Sequence, residues 1–445
     1  MAQTSSRRPR MGRRSFGSGA RRAHAGGGRT RGPRKQVIHH SKFIKPARPA
    51  IAADAYVPTH TFADFDVAAR IKKNLAARGF TAPSPIQDRA IPVALTGRDV
   101  IGIANTGTGK TMAFAIPIIN RLIQEPTARV LMIAPTRELA QQILEEVRTL
   151  TQGMSRMSTA LLIGGASMRP QLADLKRRPR IVVGTPGRIK DHMERATLTL
   201  ATFNIVVLDE VDRMLDMGFV GDMRTILGAC AAQRQSYFFS ATMDARVRKL
   251  IDDFGNRPEM ISVKTSDTSD SVQQDVVFHG DRADKLEKLH DVLTDNNDGK
   301  VIIFEETKRG ADRLSKTLNA RGFRSDAIHG NKSQSQRQRA LSKFKRNATN
   351  ILVATDVAAR GIDVPDVTHV INYTTPQSYQ DYTHRIGRAG RAGKTGQALT
   401  FVPEEQKRDA RNVSQRTQRH ASRAQRTPRQ HSRRRPRAQG TQRSA

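Results

Sequence analysis

The chain has 445 residues, 76 Lys+Arg against 41 Asp+Glu and a formal net charge of +35, and 25 of those positive charges sit in two acid-free ends, residues 1–50 and 410–445. Such a balance calls for a polyanionic partner, nucleic acid first. A lone cysteine, Cys230, excludes a disulfide framework and a cysteine-rich zinc site, and no apolar run approaches the roughly 18 residues of a membrane helix.

In chain order, residues 1–58 read as a disordered basic tail, rich in Arg, Gly, Ser and Pro and too poor in apolar groups to offset the entropy of ordering. They hold no apolar core of a secretory signal, so the expected compartment is the cytoplasm. Buried strands are predicted at 100–104, 130–134, 181–184, 205–208 and 237–239, with a helix over 137–150. Further strands are predicted at 301–304, 351–354 and 370–372, with helices over 308–321 and 334–345. Strands alternating with helices imply an α/β fold of parallel sheets covered on both faces. The run is too long for one core, and a polar, strand-poor stretch divides it. The expected organisation is a nucleotide-binding domain over 59–264, a linker at 265–271, a second domain over 272–403, and a disordered basic tail at 404–445.

Residues 104–111 read Ala-Asn-Thr-Gly-Thr-Gly-Lys-Thr between a predicted strand and a helix, the context of a phosphate-binding loop, although position 104 is Ala where the pattern has Gly. Thr106, Gly107, Thr108 and Gly109 form the cradle that turns backbone N–H groups toward phosphate oxygens, and the helix start adds its dipole. Lys110 is placed to reach the β- and γ-phosphates, and the Thr111 hydroxyl to ligate Mg²⁺. Asp209-Glu210-Val211-Asp212 follows the apolar run 205–208, so Asp209 stands at the C-terminal end of a strand, where open parallel sheets bind ligands. Asp209 is expected to hold Mg²⁺, often through water, and Glu210 to orient or deprotonate the attacking water.

With these motifs in order, the chain resembles the DEAD-box ATP-dependent RNA helicases of helicase superfamily 2 over about residues 61–403, and its compact size and short tails suggest a bacterial member. The resemblance implies two RecA-like domains. Phe62 and the run Gly79-Phe80 to Pro85-Ile86-Gln87 look like the family's Q motif, in which Gln87 reads the adenine edge and Phe80 packs on its face. Pro135-Thr136-Arg137, Gly164-Gly165 and Thr185 to Arg188 are similar to loops that grip the RNA sugar–phosphate backbone, a fitting task for Arg, Thr and helix N-termini. Ser240-Ala241-Thr242 is similar to the motif that couples the ATP state to RNA binding, with Asp212 and His384 as its partners. In the second domain the resemblance rests on Phe304 with Thr307-Lys308, His329-Gly330, Gln334 with Arg337, the run Thr355 to Asp363, and His384-Arg385 to Arg391. It implies RNA contacts at Gly165, Gly330 and Thr355, nucleotide contacts at Gly361 and Asp363, and arginine fingers at Arg388 and Arg391. Guanidinium forks match transferring phosphoryl oxygens. Because they lie in the other domain from Lys110, hydrolysis should require the domains to close. Two departures stand out: Val211 where the family has Ala, a packing change, and Glu305-Glu306, more acidic than an RNA groove calls for.

The expected protein is thus a monomeric RNA helicase using ATP and Mg²⁺. It would bind RNA by its backbone through core and tails, and separate short duplexes or remodel ribonucleoprotein complexes without a membrane. A DNA helicase could use the same phosphate loop, but the Q motif and the whole motif set argue against it. An RNA-annealing protein acting through its tails is the non-enzymatic rival. Residues 1–50 carry only Phe16 and Phe43 as aromatics and residues 410–445 none, so the tails lack stacking platforms and should bind electrostatically. The intact Lys110, Asp209, Glu210 and Arg391 argue for an enzyme.

Overall fold

A computed structural model of the chain describes residues 38–47, 56–105, 107–263, 271–296, 299–359, 364, 366–390 and 395–406. Short β-branched and apolar runs form the strands. In the N-terminal part these are β1 (Val100–Ile103), β2 (Val130–Ile133), β3 (Thr159–Leu162), β4 (Ile181–Gly184), β5 (Ile205–Leu208), β6 (Gln235–Ser240) and β7 (Glu259–Ser262). They make a seven-stranded sheet in the order β3-β4-β2-β5-β6-β1-β7, every pair parallel. The second sheet comprises β8 (Val272–His279), β9 (Lys300–Phe304), β10 (Ser325–Ile328), β11 (Ile351–Ala354), β12 (Val367–Asn372) and β13 (Gly396–Pro403). Its order is β10-β11-β9-β12-β13-β8, again all parallel.

Central strands such as β1, β2, β4, β5 and β11 are buried along their whole length because helices cover both faces. In the first sheet, Phe114, Ile143 and Val147 pack on one face and Met214, Ile226 and Leu250 on the other. In the second, Leu289 and Leu314 fill one face and Phe344 and Tyr382 the other. The motif loops after β1, β2, β3, β4, β5 and β6, and after β9, β10 and β11, leave their strands at the carboxyl ends, which gathers these site residues along one rim of each sheet; Gln87 and Arg388 are brought by helices.

The N-terminal stretch departs from the sequence expectation. Within the predicted tail 1–58, a 3₁₀ turn forms at His40–Phe43 and Lys45 pairs antiparallel with Gln274 of β8. Phe43 is fully buried in the core of the second domain. One large aromatic inserted between layers supplies the apolar contact that the surrounding composition lacks. The rest of the expected tails, residues 1–37, 48–55 and 407–445, and the linker residues 265–270 lie outside the described residues. Among the described residues no helix is long and apolar enough to cross a membrane.

Candidate active site

The phosphate loop is built by backbone conformation. Gly107 and Gly109 have φ of 86° and 91°, and Gly109 caps the helix Lys110–Gln124. A Cβ on Gly109 would lie 2.3 Å from Gln87 Nε2, so the position needs glycine twice over. Thr108 donates its hydroxyl to Asn105 O at 2.8 Å, which ties the loop across its own turn. Lys110 is 5 % exposed, and its Nζ has no hydrogen-bond partner; the nearest carboxylate oxygen, Asp209 Oδ1, is 3.9 Å away. An ammonium taken out of water without a partner is costly, so this orphan marks the place of an anion. Thr111 begins the same helix on the side of that loop. The fit to a nucleotide phosphate with a divalent cation is good: hydroxyl and carboxylate oxygens suit a hard cation, and the lysine suits the phosphate.

Asp209 and Glu210 are almost wholly buried at the end of β5. Burial pushes Asp209 up to about 6 against the pull of Lys110. Glu210 meets the same burial, yet Arg213, Lys110 and Arg388 hold it below the usual carboxylate range. Arg213 Nη1 donates to Glu210 Oε2 at 2.8 Å. Glu210 has φ of 56°, a left-handed conformation uncommon for a residue with a side chain. Asp212 is tied to the end of β6: Thr242 N and Oγ1 donate to its Oδ2 at 3.0 and 2.9 Å, while its own N–H donates to Ser240 Oγ. Asp212, Ser240 and Thr242 therefore form one knot.

Gln87 is buried and its amide spans two elements. Its Nε2 donates to Gly109 O at 3.0 Å and its Oε1 accepts from Ser84 N at 3.0 Å. An amide has a second N–H and a second lone pair, so it can also serve a ligand. Phe80 stacks edge-on with Phe62 at 6.1 Å and lies under the Arg78 guanidinium.

From the second domain, His384 and Arg388 come close enough to Glu210 to lower its pKa. Arg388 is 4 % exposed, and its Nε donates to His384 O at 3.4 Å. Arg385 is committed elsewhere: it forks onto Asp356 at 2.6 and 2.7 Å and donates to Thr374 O at 2.7 Å. Thr106, Gly361, Asp363 and Arg391 lie outside the described residues.

A cleft of about 360 Å³ is lined from the first domain by Pro135, Thr136, Arg137, Thr185 and Arg188, and from the second by Gly330 and Arg337. Thr136 caps the helix Arg137–Leu150 by accepting from Leu139 N, and Thr185 precedes the helix Pro186–Glu194, so two helix N-termini open here. Gly165, with φ of 71°, leaves room for the Arg137 guanidinium, which a Cβ would strike at 2.0 Å. Burial, with Arg337 nearby, lowers the Arg137 pKa. Thr355 is 7 % exposed and is not among the residues lining this cleft. Glu305 and Glu306 accept from Thr374 Oγ1 at 2.7 Å and Gln377 Nε2 at 3.1 Å, so the loop after β12 takes up the acidic pair.

Sequence reasoning missed the pair that joins the domains in this cleft. Arg337 forks onto Glu138, Nε to Oε1 and Nη2 to Oε2, both at 2.6 Å, with the two side chains 5 % and 6 % exposed. Arg337 carried a motif signal; Glu138 directly follows Arg137, and nothing in the sequence joins the two. Gln380 adds a second bridge by donating to Asp216 at 3.0 Å.

Comparison with known proteins agrees with this geometry. A model of the DEAD/DEAH box helicase family matches residues 84–250, and one of the helicase conserved C-terminal domain matches residues 284–393. The chain is 43 % identical over 362 residues to the DEAD-box ATP-dependent RNA helicase CshA of Bacillus licheniformis, covering 81 % of this chain and 74 % of that protein. The CshA of Bacillus subtilis is 42 % identical over 81 % of the chain and 73 % of its own length. Among solved structures, S. cerevisiae Dbp5 bound to RNA and ADP BeF3 superposes with a TM-score of 0.69 at 30 % identity, covering 80 % of this chain and 93 % of that one. Mss116p bound to ssRNA and AMP-PNP superposes with a TM-score of 0.68 at 32 % identity, over 76 % and 73 %.

Proposed function

The chain belongs to the DEAD-box family of helicases, and from that premise we propose that it is an ATP-dependent RNA helicase whose two domains close on RNA and complete the hydrolytic site between them. The observation that carries this reading is the composite site: in one domain a buried Lys110 whose Nζ makes no hydrogen bond, and from the other domain Arg388 and His384, whose charge acts on Glu210.

In this reading the domains run over 59–264 and 272–403. Gly107, Thr108 and Gly109 present N–H groups to the phosphates, with Thr106 completing the loop. Lys110 binds the β- and γ-phosphates, and Gln87 and Phe80 take the adenine, with Gly361 and Asp363 as further nucleotide contacts. Thr111 and Asp209 hold Mg²⁺, which when bound neutralises phosphate charge. Glu210, kept ionised by its cationic neighbours, accepts the proton of the attacking water or orients it. Arg388 and Arg391 stabilise the charge that develops on the transferring phosphoryl group. Pro135, Thr136, Arg137, Gly165, Thr185, Arg188, Gly330 and Thr355 grip the RNA backbone, and the knot of Asp212, Ser240 and Thr242, with His384, reports the nucleotide state. ATP and RNA both favour the closed state, so each raises affinity for the other. A groove shaped for one strand then separates short duplexes or remodels ribonucleoprotein complexes. We place the protein in the cytoplasm as a monomer.

The test compares ATPase stimulation by RNA and by single-stranded DNA, since the 2′-OH is the physical discriminator. Stimulation by RNA alone supports the reading; equal stimulation by DNA removes the RNA assignment. In parallel, Glu210→Gln should bind ATP and Mg²⁺ yet release RNA more slowly than wild type in ATP. Equal release rates would overturn the role of Glu210.

A further inference from the structure

We infer that Phe43, carried by a segment that precedes the N-terminal domain, is a positioning residue for the helix Tyr379–Ile386 and, through it, for Arg388. The inference rests on Arg388 acting at the phosphoryl group, as proposed above. The helix has eight residues, and Arg388 follows just beyond its end at Gly387. A helix this short does not hold its own orientation in water; tertiary contacts must set it. On one side Arg385 clamps it to Asp356 and the sheet. On the other side Tyr382, fully buried, has Phe43 against its ring at 4.7 Å and donates its hydroxyl to Gln274 Oε1 at 3.0 Å.

Gln274 closes the triangle. Its N–H donates to Lys45 O at 2.8 Å, and Lys45 N donates to Gln274 O at 3.0 Å. One residue of β8 thus fixes both the segment that brings Phe43 and the tyrosine that Phe43 supports. The neighbouring Ile44 is 50 % exposed and Ile38 packs only partly buried against the same core, so Phe43 is the segment's fully buried side chain. His40 adds an edge contact to Phe278 of the same strand at 5.5 Å.

The chain is anchored on the first domain as well. Asp88, beside Gln87, accepts from Tyr56 Oη, from Thr59 N at 2.8 Å and from His60 N at 3.1 Å. The 11 residues from Lys45 to Tyr56 can span at most about 40 Å. The segment that seats Phe43 on the second domain thus continues directly into the segment held on the first.

The experiment measures steady-state RNA-stimulated ATPase of the full chain for Phe43→Ala, Arg388→Ala and the double variant. A sub-ångström to ångström shift of a catalytic group is costly, so Phe43→Ala should lower kcat ~10-fold or more. KM for ATP should stay within about twofold, because none of the residues given to ground-state nucleotide binding is changed. Phe43→Leu, which refills the seat, should restore most of kcat. In the Arg388→Ala background Phe43→Ala should cost nothing further, as expected for residues acting as one unit. Losses that multiply, or an unchanged kcat in Phe43→Ala while Arg388→Ala is impaired, would overturn the inference. If Phe43→Ala does not fold, Phe43→Val, which only half fills the seat, carries the same cycle with a smaller loss, and the same two outcomes decide. An unchanged kcat in Arg388→Ala would instead overturn the role given to Arg388 itself.

Discussion

In the first domain the groups around the phosphate site are set by local backbone: Gly107, Gly109 and Glu210 all have positive φ within a few residues of Lys110 or Asp209. In the second domain they are set by long-range ion pairs: Arg385 on Asp356, and Arg337 on Glu138 of the other domain. The buried cations show the contrast most clearly. Lys110 lacks a hydrogen-bond partner, whereas Arg385 has partners on Asp356, Asn372 and Thr374. A group left unpaired at a stability cost serves a ligand; a saturated one serves the fold. The first half-site is thus preorganised and the second is delivered to it.

The largest effect that would break this contrast is at Lys110. Lys110→Ala should lower RNA-stimulated ATPase by at least ~10²-fold, since a positioned charge on a transferring phosphate is worth several kcal/mol. Because the Lys110 Nζ makes no hydrogen bond and stands 3.9 Å from Asp209, removing it should cost less stability than removing Arg385 does. ATPase and thermal melts on one preparation check both; a retained activity or a loss of stability as large as that of Arg385→Ala would contradict the assignment. Arg385→Ala should show the opposite balance. Breaking its pair should destabilise by roughly 2 kcal/mol, below the ~3–5 of a fully buried pair because Asp356 keeps some contact with water. Denaturant titration measures this directly.

These two regions also show what a sequence conveys. The apolar runs of β1, β2, β4, β5, β9 and β11 were legible because central parallel strands are buried on both faces. The edge strands β3 and β10 were not: Thr159–Leu162 is half buried and Ser325–Ile328 carries Ser and Asp, so neither stands out from a loop. The Lys110 and Asp209 site was legible because its chemistry lies within short, ordered motifs. The engagement of Arg385 with Asp356 was not, since that depends on how the helix Tyr379–Ile386 sits in the fold. Phe43 was hidden by its neighbourhood, one aromatic in a long stretch of Arg, Gly and Ser whose average composition argues against order. Glu138 and Arg337 stand 199 residues apart, and only closure brings them together.

That pair gives a smaller effect and a sharper one. Glu138→Gln keeps the volume but removes the charge, so it should weaken closure while leaving each domain folded, because the freed Arg337 can regain water when the domains part. Affinity for RNA in the presence of a non-hydrolysable ATP analogue should fall about tenfold, in the range expected for a coupling free energy. Affinity for RNA without nucleotide should barely move. Exchanging the partners in Glu138→Arg with Arg337→Glu should recover part of the loss. Equal losses with and without nucleotide would mean that the pair binds RNA and does not report closure.

The smallest effect on turnover is expected from the ends of the chain, which contrast with both domains by carrying charge and almost no apolar surface. Residues 1–37 and 410–445 hold 22 Lys/Arg and no acid, and removing them leaves Phe43 and the whole composite site in place. Each phosphate neutralised on a single strand contributes roughly −0.7 to the slope of log affinity against log salt. If about six tail residues engage RNA, the truncation should flatten that slope by about 4 units. RNA affinity should fall most at low salt, where screening is weakest, and by similar factors for unrelated RNA sequences. Turnover at saturating RNA should be retained. Extending the N-terminal cut from residue 37 to residue 47 removes only two further Lys/Arg, Lys42 and Lys45, yet it removes Phe43. The salt slope should then change little more, while kcat falls. Slope and kcat moving together across the two cuts would show that the ends and the segment carrying Phe43 act as one device; moving apart, they separate electrostatic capture of RNA from the positioning of Arg388.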